Sequence, residues 1–452
     1  MKTVLRSLCL LQILISTCLS ARILGLFPTP SISHQVVYRA LMEELARRGH
    51  NLLIITTDPV NYTEPEYDNI TQIDTHDFSY KLWDSTLNFA NLRKENPNPI
   101  AFVRMFMDVM SEVADEIFVF PPIKKLLTDK DERFDLCFVE AFVPIIGILR
   151  EKFNCSIIVI SPFYGLLQNH DSVGNPTHPL YYRDIFSPFL EEKINIWQKI
   201  SLLFIHFYYK YIYHEYCLPK FDNIIKKHFG PNATSVDLNS EGADMLFLNT
   251  YQLFNEVRPS VPAVVYLGSM HITPTKPLPT VSYLYFEVLV FAGVVYFSLG
   301  SNVKSNQLSA EKRKIFLDAF SEMPYTVVWK WENDTLPDQP ANVFTSKWLP
   351  QNDLLSHPNM KAFISQVGLQ SMEEAIHHSI PIVGIPFYAD QEMNAKKVVM
   401  RGIGKHLSIE TLTKKQLKDT VSEVINNPVK KLYGHRAYRL LGCHVMDILS
   451  TL

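Results

Sequence analysis

Between Arg22 and Thr56 the hydrophobic period of the chain changes twice, and this constrains the fold more than any other feature of the sequence. Arg22 to Phe27 is a short apolar run, followed by a Pro-rich loop from Pro28 to Ser33. From about His34 to Arg48 the residues Val37, Ala40, Leu41 and Leu45 recur at helical spacing, and Gly49 supplies a stop. Asn51 to Thr56 is again apolar. Strand, helix and strand at this spacing predict a βαβ unit, and such units build parallel sheets. Further strands are predicted at Asp135 to Val139 and Ser156 to Ile160. A second α/β series opens near Gly293, with strands at Val294 to Leu299, Thr326 to Trp331, Met360 to Ser365 and Ile380 to Ile385. A turn and a helix through His378 separate the last two strands. A helix from about Thr413 to Ile425 carries Leu417, Val421 and Val424, and Asn427-Pro428 ends it. At 452 residues the chain exceeds one ordinary domain. The expected architecture is α/β, two doubly wound Rossmann-like domains facing across a cleft, with ligands outside the carboxyl ends of the strands.

Apolar residues make up 47% and the net charge is −3, so cores can be filled and a polyanion partner is not indicated. No basic stripe interleaved with aromatics exists, which excludes nucleic acid as the expected partner. Lys2 and Arg6, the short apolar run Leu8 to Ile15 and the small residues Ser20 and Ala21 read as a signal peptide over residues 1–20. The run is too short to span a bilayer. Entry into the secretory pathway follows, and Asn-x-Ser/Thr acceptors begin at Asn61, Asn69, Asn154, Asn232 and Asn333. Cys9 and Cys18 would leave with the signal peptide; Cys137, Cys155, Cys217 and Cys443 are scattered, without metal-ligand spacing. Cys137 reads most simply as a core residue, and no disulfide framework follows from the sequence. Ile196 to Tyr216 reads as an amphipathic helix, either packed on the first domain or resting at a membrane surface, with packing the expected placement.

The densest constellation runs from Trp348 to Gln391. Trp348-Leu-Pro-Gln351 is followed by the turn Gln366-Val367-Gly368-Leu369-Gln370-Ser371, then Glu374, then Ile380 to Pro386 and Asp390-Gln391. A strand running into a Gly turn and a helix exposes unpaired N–H groups and a positive dipole end, a ready phosphate site. Ser371 adds a hydroxyl, Glu374 can accept from ribose hydroxyls, and Asp390-Gln391 suit a sugar ring. Singly, each piece has a bland reading: Trp348 as core, Glu374 as a solvated face, Gly368 as an ordinary turn.

Together, these residues resemble the donor-binding signature of UDP-glycosyltransferases, in wording like that of invertebrate members. The resemblance covers roughly residues 22–427 and implies a GT-B arrangement of the two domains. It implies that Trp348 stacks on uracil with Gln351 nearby. Gln366 stands where many members have a phosphate-binding His, and Gly368, Gln370 and Ser371 complete the diphosphate cradle. Glu374 would hold the ribose, and Asp390 and Gln391 the sugar hydroxyls. Phe297-Ser298-Leu299-Gly300-Ser301 resembles the family's other phosphate loop, with Ser301 as the contacting hydroxyl.

The base is expected from the first half. His34 opens a helix after the first strand, where the dipole disfavours imidazolium, and a general base must be neutral. Ser31-Ile-Ser-His34 matches the family's base position, and Glu140 stands where its supporting acid is more often Asp. Asp135 is expected to be structural. The implied reaction is a single inverting displacement. His34 takes the acceptor proton, Glu140 stabilises the imidazolium, and the charge on departing UDP is held by Gly368, Ser371 and Ser301. Neither a metal nor a cofactor is expected beyond the UDP-sugar co-substrate, with UDP-glucose the expected donor. The resemblance further implies a small lipophilic acceptor such as a phenol or steroid, which the sequence itself does not identify, with the lumen of the endoplasmic reticulum as the expected setting and detoxification as the expected role. Peripheral membrane contact and a homodimer are left open.

The expected division is an acceptor domain over 21–265, a linker over 266–292, a donor domain over 293–427 and a tail over 428–452. Three features depart from the family. Val367 occupies a position that is Gly in most relatives. A β-branched residue is poorly tolerated at positive φ, so Val367→Gly is expected to tighten UDP binding about tenfold. Thr280 to Phe291 is unusually apolar, as an altered splice or gene model would give more readily than a membrane span. Val429 to Leu452 lacks a run long enough for the anchor that the family carries. A catalytically impaired binder of UDP-sugar or lipophile is therefore the alternative to an active enzyme.

Overall fold

In the computed structural model the described residues are 20–86, 99–183, 187, 189, 193–233, 242–251, 258–278 and 293–427. The predicted signal peptide up to residue 19, the apolar segment 279–292, the tail from 428, and Cys9, Cys18 and Cys443 with them lie outside the described residues. The first sheet contains β1 (Arg22–Phe27), β2 (Asn51–Thr56), β3 (Ile70–Asp74), β4 (Leu136–Glu140), β5 (Ser156–Ser161), β6 (Met245–Leu248) and β7 (Val264–Tyr266). Their order is β3-β2-β1-β4-β5-β6-β7, and every pairing is parallel. The second sheet contains β8 (Val294–Ser298), β9 (Thr326–Lys330), β10 (Val343–Ser346), β11 (Met360–Ser365), β12 (Ile382–Gly384) and β13 (Gly404–His406). It runs β10-β9-β8-β11-β12-β13, again parallel throughout.

Strand order reverses between β1 and β4 in the first sheet and between β8 and β11 in the second. At such switch points the loops leave in opposite directions and open a crevice. The loops after β1 and β4 carry or adjoin His34 and Glu140, and those after β8 and β11 carry Gly300-Ser301 and Gln366 to Gly368. Topology thus brings the predicted catalytic and phosphate residues to the two crevices. The strands are apolar because helices cover both faces; β8 and β9 are buried along their whole length. Phe297, Phe316, Phe320 and Trp329 pack there, with Phe297 and Trp329 centroids 4.8 Å apart.

Most predicted elements are present within a residue or two. The helix expected from His34 begins at Ile32 behind Ser31, so His34 sits in its first turn. The strand expected over Ile380 to Ile385 is shortened to Ile382–Gly384, since Pro381 and Pro386 cannot donate to a ladder. The aromatic helix runs Ile196–Ile212 and continues through a π-turn, Tyr213–Cys217. Leu202, Tyr209 and Ile212 are buried as packing requires, but its opposite face is exposed. The reading of Cys137 as a plain core residue is corrected: it forms a disulfide with Cys155, 18 residues on, with Cα atoms 6.2 Å apart. The β4–helix–β5 crossover brings the two together, and nothing in their spacing announces it. Cys217 is free and buried.

Candidate active site

Glu140 is the last residue of β4, and 1% of it is exposed. Its Oε1 lies 3.1 Å from His34 Nδ1 and accepts from Tyr38 Oη at 2.8 Å. Its Oε2 accepts from the Thr29 backbone N–H at 2.9 Å. Burial, and secondarily the Glu140 charge, hold the Tyr38 phenol well above its usual range, so Tyr38 remains a donor. With Nδ1–H directed at the carboxylate, His34 presents Nε2 to the cleft. Phe142 and Phe163 flank the ring, with centroids 5.5 and 6.1 Å away. Asp135 lies at the other end of the strand and caps the Arg22 N–H at 2.8 Å, a structural role as expected.

Two cavities meet in the cleft between the domains. One, of about 880 Å³, is lined by His34 and by the apolar residues Trp83, Phe102, Phe106, Phe142 and Leu166, with Asp390 and Gln391 opposite. The other, of about 1010 Å³ and open to solvent, is lined by Ser301, Trp348, Gln351, Ser371 and Glu374. Ser33, Asn302, Gln366, Gly368 and Gln370 border both. All twelve predicted site residues except Glu140 line one or both cavities, and Glu140 stands behind His34.

Within the polar cavity Trp348 is 57% exposed, so its ring face is available for stacking. Lys330 Nζ lies 5.7 Å from that ring centroid and 3.1 Å from Glu332 Oε1. Gln351 Nε2 donates to Ser371 Oγ at 2.9 Å and to Glu374 Oε2 at 2.8 Å. Burial raises the Glu374 carboxyl to about 7 despite the Gln351 hydrogen bond, with the Asp353 charge adding to the rise. Gly300 has φ +84°, where an L side chain is strained, and a side chain there would also have to displace the Gln366 amide. Gln366 is nearly buried, and its Oε1 has no hydrogen-bond partner among the described residues. The helix Leu369–His377 starts immediately after Gly368.

Val367 has φ 57°, the left-handed backbone that its position demands, and its side chain is fully buried. Its N–H donates to Ser365 Oγ at 3.0 Å, and its carbonyl accepts from Asn394 Nδ2 at 3.0 Å. The turn is therefore not pushed outward; Val367 adopts it and points into the core. Asn394 also donates to Asp390 Oδ2 at 2.6 Å and accepts from Tyr164 Oη of the first domain at 2.7 Å. Burial raises the Asp390 carboxyl, while Asn394 opposes the rise. Gln391 Oε1 accepts from the Phe387 and Tyr388 N–H groups at 2.8 and 3.2 Å, so its oxygen braces the loop rather than facing a ligand. Gln370 Nε2 donates to Pro162 O of the first domain at 2.9 Å. Its side chain therefore ties the two domains at a position that borders both cavities.

Tyr38, Thr29, Asn302, Lys330 and Asn394 were not found by sequence reasoning. Only Lys330, a lysine at the end of an apolar strand, carried a signal. The family model described as UDP-glucoronosyl and UDP-glucosyl transferase matches residues 24–444. UDP-glucosyltransferase 2 of Dactylopius coccus is 31% identical over 450 residues, covering 95% of this chain and 81% of the relative. An ecdysteroid UDP-glucosyltransferase of Lymantria dispar multicapsid nuclear polyhedrosis virus is 31% identical over 433 residues, covering 94% and 85%. Among solved structures, the glycotransferase of kitacinnamycin superposes with a TM-score of 0.62 at 16% identity, covering 96% of this chain and 98% of that one. At that identity the likeness bears on the fold, which is GT-B.

Proposed function

The chain belongs to the UDP-glucoronosyl and UDP-glucosyl transferase family, and from that premise we propose that it moves glucose from UDP-glucose to a hydroxyl of a small lipophilic acceptor. The observation that carries this reading is the His34–Glu140 pair at 3.1 Å, placed where an aromatic-lined cavity meets the polar one. His34 Nε2 takes the acceptor proton, the freed oxygen attacks the anomeric carbon from the side opposite UDP, and the bond to UDP breaks with its electron pair leaving on the diphosphate. Glu140 stabilises the imidazolium that forms. The N–H groups opening the helix Leu369–His377, with Ser371 and Ser301, hold the charge on the leaving group. Trp348 takes the uracil, Glu374 the ribose, and Asp390 the sugar hydroxyls. Several relatives are named ecdysteroid UDP-glucosyltransferases, and a rigid steroid suits a cavity walled by Trp83, Phe102, Phe106 and Phe142.

The test is turnover of UDP-glucose, UDP-glucuronate and UDP-galactose against steroid and phenolic acceptors, beside calorimetry with UDP. Glucose transfer that fails in His34→Ala supports the proposal. UDP binding without transfer to any acceptor would leave an impaired binder. A secretory lumen is supported by the signal-peptide pattern and by the Cys137–Cys155 disulfide, which persists in oxidising compartments. Glycans are expected at the exposed Asn61, Asn154, Asn232 and Asn333. Asn69 should stay bare, because its Nδ2 donates to Ala46 O at 2.8 Å and His50 O at 2.7 Å. Glycopeptide mass spectrometry of the secreted chain checks this, and a glycan on Asn69 would refute that assignment.

A further inference from the structure

His34 and Tyr38 stand four residues apart on the helix Ile32–Arg47, so their side chains leave the same face one turn apart. The end of β4 lies against that face, and both side chains converge on one atom of it. Glu140 Oε1 is 3.1 Å from His34 Nδ1 and 2.8 Å from Tyr38 Oη, while Oε2 takes the Thr29 N–H at 2.9 Å. Tyr38 is 1% exposed, and its ring stacks on Phe27 with centroids 4.4 Å apart, which holds the hydroxyl on that oxygen. Burial, and after it the neighbouring carboxylate, keep the phenol protonated, so it donates and supplies no charge of its own. Tyr38 lines neither cavity, and what it does for transfer it does through Glu140.

Two donors on one oxygen compete. A hydrogen bond to a carboxylate stabilises its charged form and draws charge toward the donor. What Tyr38 draws is withheld from His34. The imidazolium is then held less firmly than by an unshared carboxylate, and the ring stays neutral, as a base must, to lower pH. We propose that Tyr38 is a positioning residue that fixes Glu140 and, by sharing Oε1, weakens the hold of the pair on a proton at His34. Asp390 also faces His34, from the second domain across the cleft, and Phe142 and Phe163 flank the ring. Replacing Tyr38 leaves those neighbours in place. No proton leaves Tyr38 at any step; the acceptor proton goes to His34 Nε2 and from there to solvent. The role is opposite in sign to a merely structural one. If Tyr38 only held Glu140 still, losing the hydroxyl would loosen the His34–Glu140 contact and make the ring easier to deprotonate, whereas losing a competitor makes it harder. The proposal rests on His34 being the base, and the test separates the two.

The test titrates the His34 ring by nitrogen NMR in the UDP-bound full chain and measures glucose transfer against pH at saturating UDP-glucose. In Tyr38→Phe the ring midpoint and the acid limb of the rate should both move to higher pH, by about half a unit or more, with UDP affinity within about twofold of wild type. Phenylalanine keeps the stack on Phe27 and removes the hydroxyl alone. Tyr38→3-fluorotyrosine makes a stronger donor and should move both the other way, which carries the test if Tyr38→Phe does not fold. A ring midpoint that stays put or falls in Tyr38→Phe, or that rises with 3-fluorotyrosine, would overturn the proposal. A ring midpoint that rises while the rate limb stays in place supports it and instead removes His34 as the base.

Discussion

Glu140 engages three donors with two oxygens: His34, Tyr38 and the Thr29 N–H. Aspartate would be one methylene shorter and could not keep all three from the same backbone position. Glu140→Asp is therefore expected to lower turnover by about ten- to a hundredfold, the scale of an ångström misplacement. Glu140→Gln keeps the length but removes the charge that stabilises the imidazolium, and a loss in the same range is expected. Wild-type rates for Glu140→Asp would show that the longer side chain is incidental. His34→Ala should cost roughly two to four orders of magnitude in turnover and leave UDP affinity nearly unchanged. Burial places the Glu374 carboxyl at about 7, so its charge state in the empty cleft changes near neutrality. An ionised carboxylate is the stronger acceptor for ribose hydroxyls. Uridine affinity, measured by calorimetry because uridine carries no phosphate of its own to titrate, should rise by up to about tenfold from pH 6 to pH 8. Glu374→Gln should be flat, and a wild-type profile equally flat would remove Glu374 from the ribose site. For folding the sign is opposite: a carboxyl raised from 4.5 to about 7 contributes stability that is present below 4.5 and lost as pH rises through about 7.

The turn after β11 shows how one element reconciles a wrong-looking residue with its geometry. A β-branched residue at φ 57° is strained by roughly 1–3 kcal/mol. The Val367 side chain is fully buried and packs near Gly384, and burying a valine stabilises by roughly the same amount. Because the Val367 N–H donates to Ser365, it is not among the groups offered to a diphosphate. The tenfold tightening that sequence alone suggests for Val367→Gly should therefore not occur. UDP affinity should stay within about twofold, with the melting temperature unchanged or lower as strain relief is set against a lost buried side chain. Tighter UDP binding with uridine unchanged would restore the strained-cradle view. The turn, the strands around it and the Trp348 to Gln391 constellation were legible because each is a local pattern of apolar period, glycine and dipole end. β3, β6, β7, β10 and β13 were not: four are short strands at sheet edges, and β6 is an interior strand of only four residues, too short to show a period.

What joins the halves of the molecule is invisible to local pattern altogether. Tyr164 and Asn394 are 230 residues apart and Gln370 and Pro162 are 208 apart, yet hydrogen bonds of 2.7 and 2.9 Å tie the domains through them. Asn302 adds a third link, to Ser31 at 3.2 Å. No spacing rule selects one Asn in a helix as the group that touches Tyr164, Asp390 and the Val367 carbonyl at once. These links bear on the proposed function because it takes His34 from one domain and the donor cradle from the other, so transfer by that route needs the cleft closed. Each hydrogen bond contributes about 1 kcal/mol net. Removing two by Tyr164→Phe with Gln370→Ala should shift the closure equilibrium by roughly tenfold or more. Turnover should fall by a similar factor, while UDP affinity changes less, since Trp348, Gln351 and Glu374 all belong to the second domain. Small-angle scattering should show a larger radius of gyration for the ligand-free variant and partial recovery with UDP and acceptor present. Wild-type turnover together with an unchanged radius would mean that the two bonds report closure without contributing to it, leaving packing across the cleft, such as Phe102 against Tyr388 at 6.3 Å, to hold the domains together.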